Sequence, residues 1–261
     1  MDVVSVLGFV LLGVVVAALG TIIGAGGGLI FVPVFLYFFP EWTPAMVVGT
    51  SLFTVTCNAI SGTIAYVRQK KILYSAAILF GIATFPGSII GAHVAEYFDP
   101  SGFRFWFGSF LLIMSLFIGY KNMNKGERKE ESLQLEELTY NKVIGILISM
   151  GVGFISSLFG IGGGLIHVPA FIYIMGFPTH MATATSHFIL AMSTSVGTLT
   201  HFLSGHIHFE IAIPCGIGAL AGGQLGAFIA KRLRAKTILI GLSIGIGLLA
   251  LRLIYTSHVL F

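Results

Sequence analysis

Apolar stretches about 20 residues long, the length of a helix that crosses a bilayer, recur along this chain with only short polar breaks, and no soluble fold can bury so many at once. They run at 3–23, 28–39, 44–66, 72–96, 101–120, 142–159, 163–176, 180–203, 208–230 and 236–256. Two of them, 28–39 and 163–176, are too short for an ordinary span. Only 9% of the residues are charged, against about 25% in soluble domains. The sequence therefore predicts an all-α polytopic membrane protein with about 8–10 transmembrane segments, and a lipid bilayer as its solvent and partner.

The formal charge of +4 does not point to nucleic acid, because the basic residues sit in short loops between apolar segments, where they set membrane orientation. Cys57 and Cys215 lie inside apolar segments without CxxC spacing, so neither a disulfide framework nor a zinc site is indicated. The first stretch follows Met1-Asp2 with no basic n-region and no small-residue cleavage signature, and is expected to be retained.

Self-similarity decides the architecture. A shift of 136 aligns Gly24-Ala25-Gly26-Gly27-Gly28-Leu29-Ile30-Phe31-Val32-Pro33 with Gly160-Ile161-Gly162-Gly163-Gly164-Leu165-Ile166-His167-Val168-Pro169; only the second and eighth positions differ. After a one-residue gap a shift of 135 pairs Thr50-Ser51 with Thr185-Ser186, Gly62-Thr63 with Gly197-Thr198, and Gly91-Ala92 with Gly226-Ala227. Two homologous halves follow: a first transmembrane repeat over 1–120, a cytoplasmic polar linker over 121–141, and a second repeat over 142–261. With five segments per half, and every one crossing, the second repeat is inverted. Three basic loops then face the cytoplasm: Arg68, Lys70 and Lys71; Lys121, Lys125, Arg128, Lys129 and Lys142; Lys231, Arg232, Arg234 and Lys236. They hold twelve of the fourteen Lys and Arg. A parallel arrangement, with the short segments fused to their predecessors or re-entrant, puts the last of these loops outside.

Gly24 to Pro33 and Gly160 to Pro169 interrupt apolar sequence at matching places, the pattern that marks the broken helices of a transporter's substrate site. Glycine exposes backbone amides, and the short apolar run that follows can start a helix whose unpaired N–H groups attract anions. Unwound backbone cannot face lipid, so these loops must be buried or line a wet cavity. The alternative is close helix packing through small residues. A dinucleotide or phosphate-loop reading fails, since Leu29 and Leu165 occupy the third required glycine and no GK[ST] follows. The backbone candidates are Gly24, Gly26, Gly27, Gly28, Gly160, Gly162, Gly163 and Gly164.

The paired G-x-G-G-G-L-I-x-V-P motifs, the Thr-Ser pairs at Thr50-Ser51 and Thr185-Ser186, and the full-length duplication resemble the TauE/SafE sulfite exporter family. The resemblance implies about eight helices. It also implies movement of sulfite, sulfonates and related sulfur oxyanions across the cytoplasmic membrane, usually outward.

Neutral donors suited to an oxyanion stand at repeat-equivalent places: Thr50, Ser51, Asn58, Ser61 and Thr63 in one half, and Thr185, Ser186, Ser193, Thr194, Ser195 and Thr198 in the other. The alternative for each is interhelical or back-bonding use. His167, His187 and His201 fall in the predicted membrane interior, opposite Phe31, Leu52 and Tyr66 of the first half. They are candidates for proton coupling, and His187 also for substrate contact. His206-Ile207-His208 lacks a third ligand and is left out of the site. Arg252 and Glu210 read as residues at membrane interfaces. No Asp or Glu is placed at mid-membrane, which favours an anion over a cation.

These features predict a secondary transporter for a small anion, and the resemblance implies export of a sulfur-containing one, such as sulfite, thiosulfate or a short sulfonate, across the cytoplasmic membrane. The alternative is a transition-metal transporter built on the three histidines. No haem, iron–sulfur, ATP or metalloprotease spacing is present, so no enzymatic activity, cofactor, resident metal or nucleic-acid partner is expected. Assembly into a homo-oligomer is compatible with the sequence.

Overall fold

The computed structural model describes residues 2–123, 140–230, 232 and 235–259; most of the linker expected at 121–141 lies outside them. Ten α-helices occur among these residues: α1 (Val3–Ile23), α2 (Gly28–Phe38), α3 (Pro44–Arg68), α4 (Tyr74–Val94), α5 (Pro100–Met123), α6 (Lys142–Phe159), α7 (Gly164–Tyr173), α8 (Thr179–Leu203), α9 (Phe209–Ala230) and α10 (Ala235–Val259). A short 3-10 turn, Ala95–Tyr97, continues α4, and the described residues include no strand. Six helices are long and apolar enough to cross a membrane: α1, α3, α4 with its turn, α5, α6 and α9. α8 is equally long, but it carries Thr, Ser and His on a face buried in protein.

Several helix starts are set locally. Thr43 caps α3 and Pro44 supplies its first residue, where a missing N–H costs nothing. Asn141 accepts from the amides of Val143 and Ile144 at the start of α6. Asp99 accepts from Gly102 N–H at 2.9 Å and from the Ser101 hydroxyl at 2.6 Å at the start of α5. Those two bonds hold its carboxyl below the ordinary carboxylate range. The cap therefore acts fully above about pH 4 and is lost as pH falls through the lowered value. α2 and α7 have no side-chain cap.

Glycine sets how the long helices pack. A methyl at Gly13 would collide with the Cys215 carbonyl, one at Gly218 with Val10, one at Gly222 with Val14 and one at Gly226 with Ala18. From Val10–Gly218 through Val14–Gly222 to Ala18–Gly226 the residue numbers rise together, so α1 and α9 run parallel in backbone contact. α4 and α6 repeat the arrangement, with Gly87 against Met150 and Gly91 against Phe154. α3 also runs parallel to α9, through Ser61 to the Leu220 carbonyl at 2.5 Å and Gln69 to the Ala227 carbonyl at 3.3 Å. α4 runs parallel to α8, through the Tyr74–Phe188 ring contact and the Ser88–Ser193 pair at 3.0 Å. α3 and α8 are antiparallel, since Thr56 meets Thr198 at 2.9 Å while Thr63 donates to the His187 carbonyl at 3.2 Å. α5 packs on α10, also antiparallel, with Gly108 beside Ile254 and Ser115 bonded to Ser243.

Hence α1, α3 and α9 point one way and α4, α6 and α8 the other. Helices that correspond under the 135–136 offset are opposed, the geometry an inverted duplication demands. One end of the bundle collects Asp2, Glu41, Glu96, Asp99 and Glu210; the other collects Arg68, Lys70, Lys71, Lys142 and Arg232.

The expectation that every apolar segment crosses needs correction at α2 and α7. Eleven and ten residues long, they extend roughly 16 and 15 Å, about half of a hydrocarbon core. Each doubles back along the helix before it. Phe39 packs on Phe9 with ring centroids 6.2 Å apart, and His167 Nε2 lies 3.1 Å from Ser149 Oγ. Because α2 and α7 reverse the chain direction without crossing, the halves remain opposed even though the short helices do not span.

Replacing Gly218 with Val should break the α1–α9 seam, whose opposing atoms are backbone, and cost about 1–3 kcal/mol or more. The same change at Gly8, which faces open space, should leave thermal unfolding in detergent unchanged.

Candidate substrate site at the crossing of two glycine loops

α1 ends at Gly24 (φ 78°) and α6 at Gly160 (φ 71°), both in the left-handed region that only glycine enters without steric cost. The chain thereby leaves each helix sharply and starts the next within four residues. The two resulting loops pack on each other reciprocally. A methyl at Gly28 would strike the Gly160 carbonyl oxygen, and one at Gly164 the Gly24 carbonyl oxygen. Both loops rest on the same two side chains: a Cβ at Gly26 would lie 2.6 Å from Leu190 Cδ2 and 2.9 Å from Val55 Cγ1, and one at Gly162 3.1 Å from Val55 Cγ1. Val55 and Leu190 sit near the middle of α3 and α8, so the crossing lies at mid-depth. The uncapped first turns of α2 and α7 start from it, and their free amides concentrate partial positive charge there.

A shell of buried polar groups surrounds the crossing. Asn58 donates to the Gly26 carbonyl at 2.9 Å and accepts from the Thr21 hydroxyl at 2.7 Å. Ser51 donates to the Gly160 carbonyl at 2.8 Å. Its counterpart Ser186 is fully buried, and its hydroxyl has no protein partner. The structure thus brings Gly24, Gly26, Gly27, Gly28, Ser51 and Asn58 together with Gly160, Gly162, Gly163, Gly164 and Ser186.

The hydroxyls of Thr50 and Thr185 are engaged by loops instead. Thr50 Oγ1 accepts from His208 N–H and Thr185 Oγ1 from Leu73 N–H, each at 3.1 Å. These symmetric bonds tie each α3-type helix to the loop of the other half. Thr194 and Ser195 bond back to the carbonyls of Leu190 and Ala191 on their own helix, as interior membrane Ser and Thr commonly do.

The three intramembrane histidines do not converge. His187 is fully buried against Gly62 and stacks edge-on with Tyr66 at 5.5 Å, and neither ring nitrogen has a protein partner. His167 lies on α7, between Ser149 and Phe171. His201 is 3.3 Å from the Ser157 carbonyl and faces His206 toward the acidic end. Among the described residues no three His, Cys, Asp or Glu side chains gather as metal ligands.

Thr21 and Tyr66 belong to the shell but were not singled out from sequence. Tyr66 donates to the Thr21 carbonyl at 3.1 Å, as His201 meets the Ser157 carbonyl at the corresponding place. The signal was available in the repeat offset, which pairs Tyr66 with His201 and Thr21 with Ser157. A small cleft with room for about one water indents the basic end of the bundle and ends on Tyr66, Val168 and Thr183. A Cβ on Gly24 would lie 2.9 Å from Thr183 Cγ2 and 3.0 Å from Val168 Cγ2, so only this layer separates the cleft from the crossing.

A family model described as sulfite exporter TauE/SafE matches residues 9–253. A probable membrane transporter protein, YunE of Bacillus subtilis, is 35% identical, covering 94% of this chain and 96% of its own length. The probable membrane transporter protein MJ0441 of Methanocaldococcus jannaschii is 28% identical over 93% of this chain and 92% of its own. YfcA of Escherichia coli, also named a probable membrane transporter protein, is 26% identical over 90% and 85%. No solved structure matches the chain.

Proposed function

Because the chain belongs to the TauE/SafE sulfite exporter family and is a multi-pass membrane transporter, we propose that it carries a small sulfur-containing anion out of the cell through the crossing of its glycine loops. The observation that carries this reading is the reciprocal packing of the two loops at mid-depth, from which two uncapped half-helices begin. Neutral donors and helix N-termini complement an oxyanion. The acids of the described residues stand at the bundle end, away from the crossing. Sulfite, thiosulfate and short sulfonates share this chemistry.

The positive-inside rule supports a topology with the basic end in the cytoplasm, and we read the protein as residing in the cytoplasmic membrane. The two halves derive from an inverted duplication, and alternate access proceeds by movement of one half against the other around the crossing. An inside-negative potential of about 100 mV favours expulsion of a monovalent anion by about 2.3 kcal/mol. Export then needs neither nucleotide nor coupling ion. Of the three histidines, His187 is the candidate for proton coupling that this reading retains, since its ring borders the shell at Gly62 and Tyr66.

Flux of sulfite, thiosulfate and ethanesulfonate from loaded proteoliposomes tests the reading. Saturable efflux of at least one of them, following an imposed potential, is expected. Absence of flux for all three overturns the substrate class. Zinc or nickel flux in its place restores the metal-transport alternative, which the scattered histidines do not favour.

A further inference from the structure

The two mouths of the bundle are unlike, although the offset makes their residues equivalent. At the basic end the cleft is lined by Tyr66, Gln69, Lys71, Thr179, His180 and Thr183. The corresponding positions at the acidic end are packed. Phe159 stands where the cleft has Ile23 and stacks on Phe107 and Phe110 at 5.3 and 5.6 Å. His206 replaces Lys71, and its Nδ1 lies 3.8 Å from Glu96 Oε1, which also meets His93 Nδ1 at 3.5 Å.

Thus the open mouth carries a lysine side chain, and the closed one carries an imidazole already facing a carboxylate. Backbone strain marks the open mouth as well. Lys70 holds φ 54°, in the left-handed region, where its counterpart is Gly205 at φ 75°. A lysine in that conformation costs what glycine would avoid, and the turn it forms leads directly into Lys71.

Resting on the anion-transport reading above, we infer that the cleft at the basic end is a separate loading site for the anion, with Lys71 as its recruiting cation and Tyr66 as the barrier behind it. An anion held at Lys71 is one side-chain layer from Gly24. Tyr66 spans that layer, bonded to the Thr21 carbonyl at 3.1 Å and packed on His187. Movement of its ring opens the way to the crossing. At the far mouth the imidazole facing Glu96 offers no comparable hold, so half-saturation there requires more anion than at the basic side. The asymmetry makes the two sides differ in half-saturating concentration, while the direction of net flux is set by the gradient and the potential.

Cysteine labelling tests the site independently of transport. In a variant with Cys57 and Cys215 replaced by Ala, Thr179→Cys places a thiol in the cleft. With everted membrane vesicles, which present the basic end to the medium, an anionic sulfonate-bearing methanethiosulfonate should label it about tenfold faster than a cationic one, relative to their rates with a free thiol. Added Lys71→Gln should remove the preference, and Lys71→Arg should keep it. In flux assays Lys71→Gln should raise the half-saturating ethanesulfonate concentration on the basic side about tenfold with the maximal rate unchanged. Equal labelling by both reagents, or a preference that survives Lys71→Gln, overturns the loading site. If the preference is present and no anion is transported, the loading site stands and the transport reading fails.

Discussion

Gly164→Ala is expected to abolish transport and to lower thermal stability by about 3 kcal/mol or more, although it adds a single methyl group. The atom in the way is the Gly24 carbonyl oxygen, with the Ala25 Cα and Gly24 carbonyl carbon 2.8 Å from the same point. Backbone of an opposing loop cannot rotate aside as a flexible side chain can. Gly28→Ala should behave the same way, since it meets Gly160 and Ile161. Gly151→Ala is the control: nothing lies near it, and alanine favours a helix interior over glycine by about 1 kcal/mol. Purified variants would be compared by thermal unfolding and by ethanesulfonate flux. Normal flux in Gly164→Ala would show that the loops can part without loss, and would remove the crossing from the mechanism.

The second large effect is expected at Asn58. Its amide satisfies the Gly26 carbonyl and its oxygen receives the Thr21 hydroxyl, so Asn58→Ala strands two buried polar groups at once. Each costs about 1–3 kcal/mol, and the loop that carries Gly26 loses the bond that fixes it to α3. Transport should fall by more than tenfold even where the protein still folds. Ser195→Ala, whose hydroxyl is exposed and only returns to its own helix, should change neither readout. Wild-type flux in Asn58→Ala would mean that loop placement does not govern transport.

The positions of the two broken segments were legible in sequence because a glycine cluster followed by proline rarely sits inside an apolar run without breaking the helix there. Opposed halves followed from counting segments and locating basic loops, and the helix seams carry the same directions. What α2 and α7 do after the break was not legible. An apolar run of eleven residues reads alike whether it continues or returns, and only tertiary contacts such as Phe9–Phe39 decide.

Among the residues of the candidate site, Asn58 and Ser51 could be picked out as polar groups in apolar sequence. Thr50 and Thr185 met the same criterion, and their hydroxyls accept from the loops of the opposite half, because residue type does not tell which neighbour claims a hydroxyl. Tyr66 escaped notice for the converse reason: an aromatic residue near a helix end is ordinary in membranes, and its role rests on the bond to Thr21 and the cleft beyond it. The loading cleft itself arises from an inequality of side-chain volume, Ile23 against Phe159, that becomes visible only when both ends are packed.

The α1–α9 seam has a consequence for biosynthesis. α1 is complete at Ile23, whereas its glycine-lined partner begins at Phe209, so at roughly 5–20 residues per second α1 waits on the order of 10–40 s before the surface it needs exists. During that time the face that will meet α9 must persist in lipid, with only α2 and α3 beside the helix. Its sequence suits the wait: 21 residues with no charged side chain and a mean hydropathy of 2.8, the highest of the six spans. α6, in contrast, emerges after its partner α4 and docks at once. The two halves share one packing scheme but are assembled in opposite order, so a slowed ribosome should threaten the first helix far more than the sixth.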